Sequence, residues 1–146
     1  MQKTSFPSLQ VFFLGLLIFP ILYACKKKPK ATSVADVSSY IYAYTSGVIS
    51  KTSPIRVKFT RDVVDTDQVG TTVLPTVFTL DPFVEGVATW EDSKTLLFKP
   101  STSFTSGKSY QATLALRQLI KEAKGKSSQF IFDFSARPLQ LSLIHI

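Results

Sequence analysis

The sequence predicts an all-β fold built from two packed sheets. Short segments in which apolar and polar residues alternate recur from residue 38 onward, and Gly or Pro residues separate them. In one of these segments Ile55, Val57 and Phe59 alternate with Arg56 and Lys58, so one side of the strand is apolar and the other is charged. About seven such strands in roughly 100 residues are typical of an immunoglobulin-like β-sandwich.

The remaining predicted strands follow the same pattern along the chain. Residues 91–94 (EDSK) separate two of them and predict a hairpin turn. Helical spacing is found only at residues 116–123, which predicts a turn or one short helix that ends before Gly125. The apolar sets are Tyr40, Tyr42 and Tyr44; Val77, Phe78 and Leu80; residues 87–90 and 95–99; Tyr110, Ala112, Leu114 and Leu116; and Phe130, Phe132 and Phe134.

The basic charge of the chain is concentrated near its amino-terminal end. The sequence has 17 Lys and Arg against 10 Asp and Glu, a formal net charge of +7. Lys3 precedes an apolar run, and Lys26, Lys27, Lys28 and Lys30 form one cluster. Without these five lysines, the chain from residue 31 onward has twelve basic and ten acidic residues, which is a net charge of +2. A nearly neutral body is unlike an evenly basic nucleic-acid-binding domain, so we expect no nucleic-acid partner.

Residues 1–24 have the organisation of a secretory signal peptide. Residues 11–24 (VFFLGLLIFPILYA) form an uncharged run of 14 residues, which is shorter than the roughly 20 residues that a transmembrane helix needs. The run ends in Leu22-Tyr23-Ala24-Cys25 and is followed at once by lysines, an arrangement that resembles a bacterial lipoprotein signal. This resemblance implies that the sulfur of Cys25, the single cysteine, is diacylated and that cleavage leaves Cys25 as the new N-terminus.

The expected partner of Cys25 is therefore membrane lipid. Each buried CH₂ of an acyl chain contributes about 0.8 kcal/mol to membrane binding, so two or three chains would hold the protein permanently. Residues 25–37 would form a basic tether and linker, and the protein would be lipid-anchored in the bacterial cell envelope, on the periplasmic or surface side of the outer membrane. The alternatives are an uncleaved anchor that ends near this cysteine, or an ordinary signal peptide.

The last six residues are expected to lie outside the natural protein. Residues 141–146 (LSLIHI) follow a predicted strand and Pro138 without a turn or stop pattern. Their reverse translation, CTG TCT CTT ATA CAC ATC, resembles the end of a transposase adapter that is used in sequencing libraries. On this interpretation His145 does not belong to the protein, the natural chain continues past Gln140, and the sandwich domain spans residues 38–140. The alternative is a natural apolar tail.

The residue types present exclude most catalytic and metal sites. One histidine and one cysteine cannot build a Ser–His–Asp or Cys–His arrangement or a cysteine-rich zinc site. Glu91-Asp92 lies in the predicted hairpin turn without an evident catalytic partner. Asp62, Asp65 and Asp67 could offer oxygen ligands to calcium, but the Gly and the distal Glu of the EF-hand pattern are missing, which favours a solvated loop. We therefore expect no enzyme activity, no metal and no cofactor.

Three aromatic residues have both a functional and a structural interpretation. Trp90, Phe98 and Tyr110 could form an aromatic platform for a ligand. At strand spacing, however, aromatic residues more often belong to the core. The sequence therefore favours core positions for all three.

A series of short motifs runs through the predicted sandwich. They are YTSGVIS at residues 44–50, SPIRVKF at 53–59, FTLDP at 78–82, EG at 85–86, WED at 90–92, TLLFKP at 95–100, GKSY at 107–110, LI at 119–120 and FIFDF at 130–134. Together they resemble the N-terminal domain of bacterial alpha-2-macroglobulins, in the lipoprotein form of the Bacteroidetes. The resemblance covers about residues 40–139.

Membership of that family would imply a large, multi-domain, membrane-anchored protein that entraps proteases after they cleave a bait region. In many members a Cys–Gln thioester then captures the protease covalently. Those parts would lie beyond Gln140, so target proteases would be partners of domains that this segment does not contain. The alternative function is that of a lipid-anchored Ig-like module in a surface adhesin, a stalk or a glycan-binding protein.

Overall fold

The chain folds into two packed four-stranded sheets. A computed structural model describes residues 30–138. In this part of the chain, strand order is β1-β3-β6-β5 in the first sheet and β2-β8-β7-β4 in the second. The strands are β1 (Ile41–Tyr44), β2 (Gly47–Ile49), β3 (Ile55–Phe59), β4 (Phe78–Asp81), β5 (Gly86–Asp92), β6 (Thr95–Pro100), β7 (Ser109–Leu114) and β8 (Phe130–Ala136).

Within residues 30–138, helical structure is confined to four short segments. They are the α-helices α1 (Val34–Val37) and α2 (Leu116–Leu119) and the 3₁₀ helices Thr66–Gln68 and Gly125–Ser128. The predicted all-β, immunoglobulin-like sandwich is confirmed.

The eighth strand results from a change of sheet early in the chain. After Tyr44 the chain leaves the first sheet, turns at Gly47 with φ of 75°, and pairs as β2 with β8 in the second sheet. This is the one parallel pair among the described strands. The sequence indicates a turn at Ser46-Gly47 but not the strand after it, because three residues without buried alternation carry no period-2 signal.

The predicted inward-facing sets form the core between the sheets. In β3, Ile55, Val57 and Phe59 are buried while Arg56 and Lys58 are exposed. The other buried side chains of the strands include Leu80, Trp90, Leu96, Phe98, Tyr110, Ala112, Leu114, Phe130, Phe132 and Phe134. The hairpin turn at residues 91–94 is also confirmed, since β5 ends at Asp92 and β6 begins at Thr95.

The predicted common face of three tyrosines is wrong at Tyr42. A β-bulge lies between Ile41 and Ala43, so the side-chain alternation of β1 is interrupted there. Tyr42 is 73% exposed, whereas Tyr44 packs edge-on against Phe130 with 4.9 Å between ring centroids. The bulge therefore moves one tyrosine of the set to the solvent.

The folded body begins earlier than the sequence indicates. Residues 31–37 were expected to form a linker, but Thr32 N–H donates to the carbonyl of Ile131 (2.9 Å) and Ile131 N–H donates to Thr32 Oγ1 (2.9 Å). Val37 of α1 is buried in the core. A single buried valine in a polar segment is too weak a pattern to predict this packing from sequence.

The short helical segment after β7 closes one end of the sandwich. Leu116, Ile120 and Ala123 are buried on one side, as their spacing predicts. The α-helix itself covers Leu116–Leu119, and Gly125, with φ of 60°, begins the second 3₁₀ helix.

The chain enters and leaves this body at opposite ends of β8. Thr32 is bound beside Ile131, near the start of β8, whereas Arg137 N–H donates to the carbonyl of Ile49 just after β8 ends. The seven residues of β8 span about 20 Å at the usual rise of a strand. The two connections of the domain are therefore separated by the length of the sandwich.

Candidate functional site

The residue that the sequence singles out most strongly, Cys25, lies outside the described residues, and so do residues 1–24 and the tail at 141–146. Lipidation of Cys25 therefore stays a prediction. Within residues 30–138, none of the helices has the length and apolar character needed to cross a membrane.

Two of the three aspartates of the DVVDTD loop have structural neighbours. The Ser93 hydroxyl donates to Asp62, and Lys94 Nζ lies 3.9 Å from the same carboxylate. Asp65 N–H donates to Gln68 Oε1 (3.4 Å) and so helps to begin the 3₁₀ helix Thr66–Gln68. In the described part of the chain, no group of three or more His, Cys, Asp or Glu side chains could hold a metal ion.

Trp90, Phe98 and Tyr110 are buried, so the core interpretation of these aromatic residues is confirmed. The Trp90 ring packs against that of Phe59, with centroids 5.8 Å apart. The Tyr110 hydroxyl accepts the N–H of Thr105 (2.8 Å) and is therefore occupied inside the protein. Neither the Trp90 ring nor the Tyr110 ring is presented to a ligand on the surface.

Glu91 and Asp92 of the hairpin turn are held as carboxylates. Arg56 donates to both oxygens of Glu91, with Nε–Oε2 of 3.0 Å and Nη2–Oε1 of 3.1 Å. This hydrogen bonding lowers the pKa of Glu91 and raises that of Arg56. The pKa of Asp92 is lowered mainly by the backbone N–H of Lys94 (2.7 Å). Two groups stabilised in their charged form are poor proton donors at neutral pH.

A polar depression lies on the outer face of the first sheet, next to this ion pair. Its volume is about 440 Å³, and its lining includes Arg56, Lys58, Glu91 and Asp92. Lys58 Nζ also lies 5.8 Å from the centre of the exposed Tyr42 ring. Arg56 of β3 and Glu91 of β5 bind each other, so this ion pair links two strands that lie on either side of β6.

An opening in the surface lies between the edge strands β4 and β5. A cavity of about 460 Å³ separates them there. We call it the β4–β5 groove; its lining consists of Thr72, Val73, Pro75, Phe78, Thr79, Leu80, Phe83, Val84, Glu85, Gly86, Val87, Ala88 and Phe98.

Large apolar side chains surround the β4–β5 groove in contact with solvent. Phe83 is 83% exposed, Leu74 is 70% exposed and Val87 is 49% exposed. Phe83 lies outside every strand that the sequence predicts, and no role was expected for it. One feature of the sequence does indicate its exposure: this aromatic residue lies in a turn segment between Pro82 and Glu85, where no strand could bury it.

The two edges of the β4–β5 groove differ in how far their backbones are paired. Residues 70–73 lie along β5, where Val73 N–H donates to Ala88 (3.0 Å) and Trp90 N–H donates to Thr71 (3.1 Å). On its inner side β4 pairs with β7. Among the described residues no strand pairs with the outer side of β4.

Comparison with known protein families identifies the family of this domain. Residues 31–136 match the family of the bacterial Ig-like domain. The chain belongs to this family. The family assignment confirms the bacterial, immunoglobulin-like character expected from the sequence, and domains of this family are non-catalytic. The finer assignment to the alpha-2-macroglobulins stays a prediction.

Several solved structures resemble the Ig-like domain at low sequence identity. An L,D-transpeptidase from Mycobacterium tuberculosis H37Rv is 11% identical, with a TM-score of 0.46, over 67% of this chain and 40% of that one. L,D-transpeptidase 3 from the same species, in complex with a faropenem-derived adduct, is 11% identical with a TM-score of 0.46, over 69% and 39% of the two chains.

A third solved structure is similar to the same extent. An L,D-transpeptidase from Mycobacterium smegmatis is 11% identical with a TM-score of 0.46, over 67% of this chain and 39% of that one. The Ig-like chain thus spans about two fifths of the length of these three proteins. No curated protein matches it significantly.

Proposed function

We propose that this Ig-like domain is the membrane-proximal module of a lipid-anchored envelope protein. In this role it holds further domains away from the membrane and performs no chemistry of its own. The observation that carries the proposal is the position of the chain's two connections at opposite ends of β8. A module with this arrangement separates whatever precedes it from whatever follows it by the length of its sheets.

The anchor in this proposal is Cys25 at the end of the apolar run. The first backbone hydrogen bond to the sandwich is made by Thr32, so residues 25–31 form the connection between cysteine and domain. Seven residues can extend over at most about 25 Å. The lysines at positions 26, 27, 28 and 30 would then lie close to the headgroups, where each charge near an anionic surface contributes about 1 kcal/mol.

The body of the domain is suited to a spacer because its core is continuous. Aromatic residues from both sheets contact one another in and beside the core, including half-buried Tyr44 with Phe132 (5.0 Å) and Phe78 with Phe98 (5.0 Å). The hydrogen-bonded ladders of two four-stranded sheets enclose them. Such a core resists deformation, since close-packed interiors have low compressibility.

The finer version of the proposal is that the spacer begins a protease-trapping inhibitor of the alpha-2-macroglobulin type. The motif series quoted above supports it, and the bait region and protease contacts would be supplied by other domains. The alternative is a spacer in a surface adhesin, a stalk or a glycan-binding protein. Sequencing the gene beyond the codon for Gln140 separates them. Further sandwich domains with a bait region would support the inhibitor, whereas a carbohydrate-active domain would contradict it.

The anchor is tested by expressing the chain in bacteria that are fed labelled palmitate. Wild type should incorporate the label and sediment with membranes, and Cys25→Ala should do neither. The matched control is Ala24→Gly, which keeps a small residue before the cysteine and should incorporate label like wild type. Absence of label in wild type would overturn the lipid anchor.

A further inference from the structure

The β4–β5 groove combines an exposed apolar surface with an empty space beside it. Phe83 and Val87, which both line a cavity of about 460 Å³, expose large apolar side chains, and Leu74 between the lining residues Val73 and Pro75 is exposed as well. Isolated exposed apolar residues are common, but a cluster of them beside a cavity marks an interaction site. The volume lies within the range of about 300–1,000 Å³ that is usual for ligand sites.

The backbone next to this cavity is that of an edge strand. Alternate residues of an edge strand direct their N–H and C=O groups outward, where they can pair with a further strand. Phe78, Thr79 and Leu80, three consecutive residues of β4, line the groove. A strand added to β4 would therefore lie along the cavity, with every second side chain pointing into it.

The floor of the cavity depends on a glycine. Gly86 has no side chain, and a Cβ at this position would contact the ring of Phe98 and lie 2.5 Å from the carbonyl oxygen of Lys99. The Phe98 ring consequently sits directly against the β5 backbone and forms an apolar floor. Apolar side chains of an added strand would be buried against this ring.

The charges around the groove favour one kind of occupant. Glu85 is the only charged residue among its described lining residues. A second copy that used the same groove would bring no Lys or Arg among its lining residues to pair with this carboxylate. A different polypeptide that carries Lys or Arg would instead meet opposite charge.

We propose that the β4–β5 groove binds an extended segment of a partner polypeptide as an added strand on β4. The alternate side chains of the segment are apolar and fill the cavity beside Phe83, and its basic residues face Glu85. This is strand addition to a sheet edge, in which backbone hydrogen bonds supply affinity and the side-chain cavity supplies specificity. The proposal goes beyond the spacer role and does not depend on how the chain is anchored.

The test uses the full chain in lipid nanodiscs and a fluorescein-labelled peptide of alternating valine and threonine with lysine at both ends. Fluorescence anisotropy should show saturable binding, with none to empty nanodiscs. Phe83→Ser should weaken binding about tenfold, because it removes an apolar anchor at the groove. The matched control, Val48→Ser, changes a residue that is 62% exposed on β2, the opposite edge strand of the same sheet, and should leave the affinity unchanged.

Two altered peptides separate strand addition from non-specific apolar contact. N-methylation of the central valine removes a backbone donor and should weaken binding about tenfold. Replacing both terminal lysines by glutamate should weaken it severalfold at low salt, and added salt should reduce the difference.

Three outcomes would overturn the proposal. One is equal affinity of wild type and Phe83→Ser when circular dichroism shows both to be folded. Another is equal affinity for the N-methylated peptide. The third is occupation of the groove by a second copy of the protein. In that case peptide binding would weaken when several copies share one nanodisc.

Discussion

The two long sides of the sandwich are closed in different ways. On one side the chain itself passes from β1 in the first sheet to β2 in the second, and Tyr44 at this crossing packs against Phe130 and Phe132. On the other side no strand joins β4 to β5 among the described residues. Residues 70–73 attach only to β5 there, and a cavity remains between the sheets.

This difference shows what a strand that changes sheets contributes to a β-sandwich. At the closed side it pairs with an edge of each sheet and covers the core between them. At the open side the same apolar core reaches the surface, and Phe83 remains 83% exposed. The open side is therefore where the domain can bind another molecule without unfolding any part of itself.

The largest expected effect comes from removing aromatic rings on the two sides. Phe130→Ala should lower the free energy of unfolding by about 3–5 kcal/mol, because its ring is 1% exposed and packs against Tyr44. Phe78→Ala, beside the groove, should cost only about 2–3 kcal/mol, since neighbours and water can relax into the existing cavity. Urea unfolding followed by the fluorescence of Trp90, the single tryptophan, measures both. Equal losses would show that the open side is packed as tightly as the closed one.

A smaller effect is expected from adding a methyl group to one glycine on each side. Gly86→Ala should destabilise by about 2 kcal/mol, because the new Cβ collides with the backbone oxygen of Lys99 and with Phe98. Gly47→Ala meets no atom within 4 Å, but its φ of +75° should cost about 1 kcal/mol. The same unfolding experiment ranks the two. If Gly47→Ala were the more harmful change, backbone conformation at the crossing would matter more than space at the groove.

The smallest effect concerns the ion pair that links β3, next to the closed side, with β5 on the open side. Glu91→Gln should cost at most about 1 kcal/mol at neutral pH, because the Arg56 and Glu91 side chains are 51% and 38% exposed. Folding lowers the pKa of Glu91, so this contribution is complete above the unfolded pKa of about 4.3 and is lost as the pH falls through the folded pKa. Urea midpoints of wild type and variant should therefore converge in acid.

The control for this pair is Glu122→Gln. Glu122 makes a single contact with Arg61 at 3.3 Å, and both side chains are more than half exposed. This variant should differ from wild type by less than Glu91→Gln does at neutral pH and low salt. A Glu91→Gln deficit that grew as the pH fell would contradict the assigned direction of the pKa shift.

Much of the fold could be predicted from local pattern. The alternation in β3 and β8 identifies the inward residues, and the polar turn at residues 91–94 identifies the β5–β6 hairpin. These features depend on neighbours in sequence, so the sequence displays them directly. The burial of Trp90, Phe98 and Tyr110 follows from the same pattern.

The features that escaped prediction depend on contacts between distant segments. Thr32 belongs to the folded body only because Ile131 lies beside it, and Tyr42 faces solvent only because the pairing of β1 with β3 contains a bulge. The segment Gly47–Ile49 forms the strand β2 because β8 lies beside it and pairs with it. No window of sequence around any of these residues contains its distant partner.

The sequence by itself determined that this protein is an all-β sandwich with a nearly neutral body, because alternation and charge are properties of the chain. Only the tertiary structure decided that one side is closed by a strand that changes sheets and the other is left open at Phe83. The exposure of a phenylalanine depends on whether another segment covers it. That is set by how two sheets meet in space, and the residues next to Phe83 in sequence do not specify it.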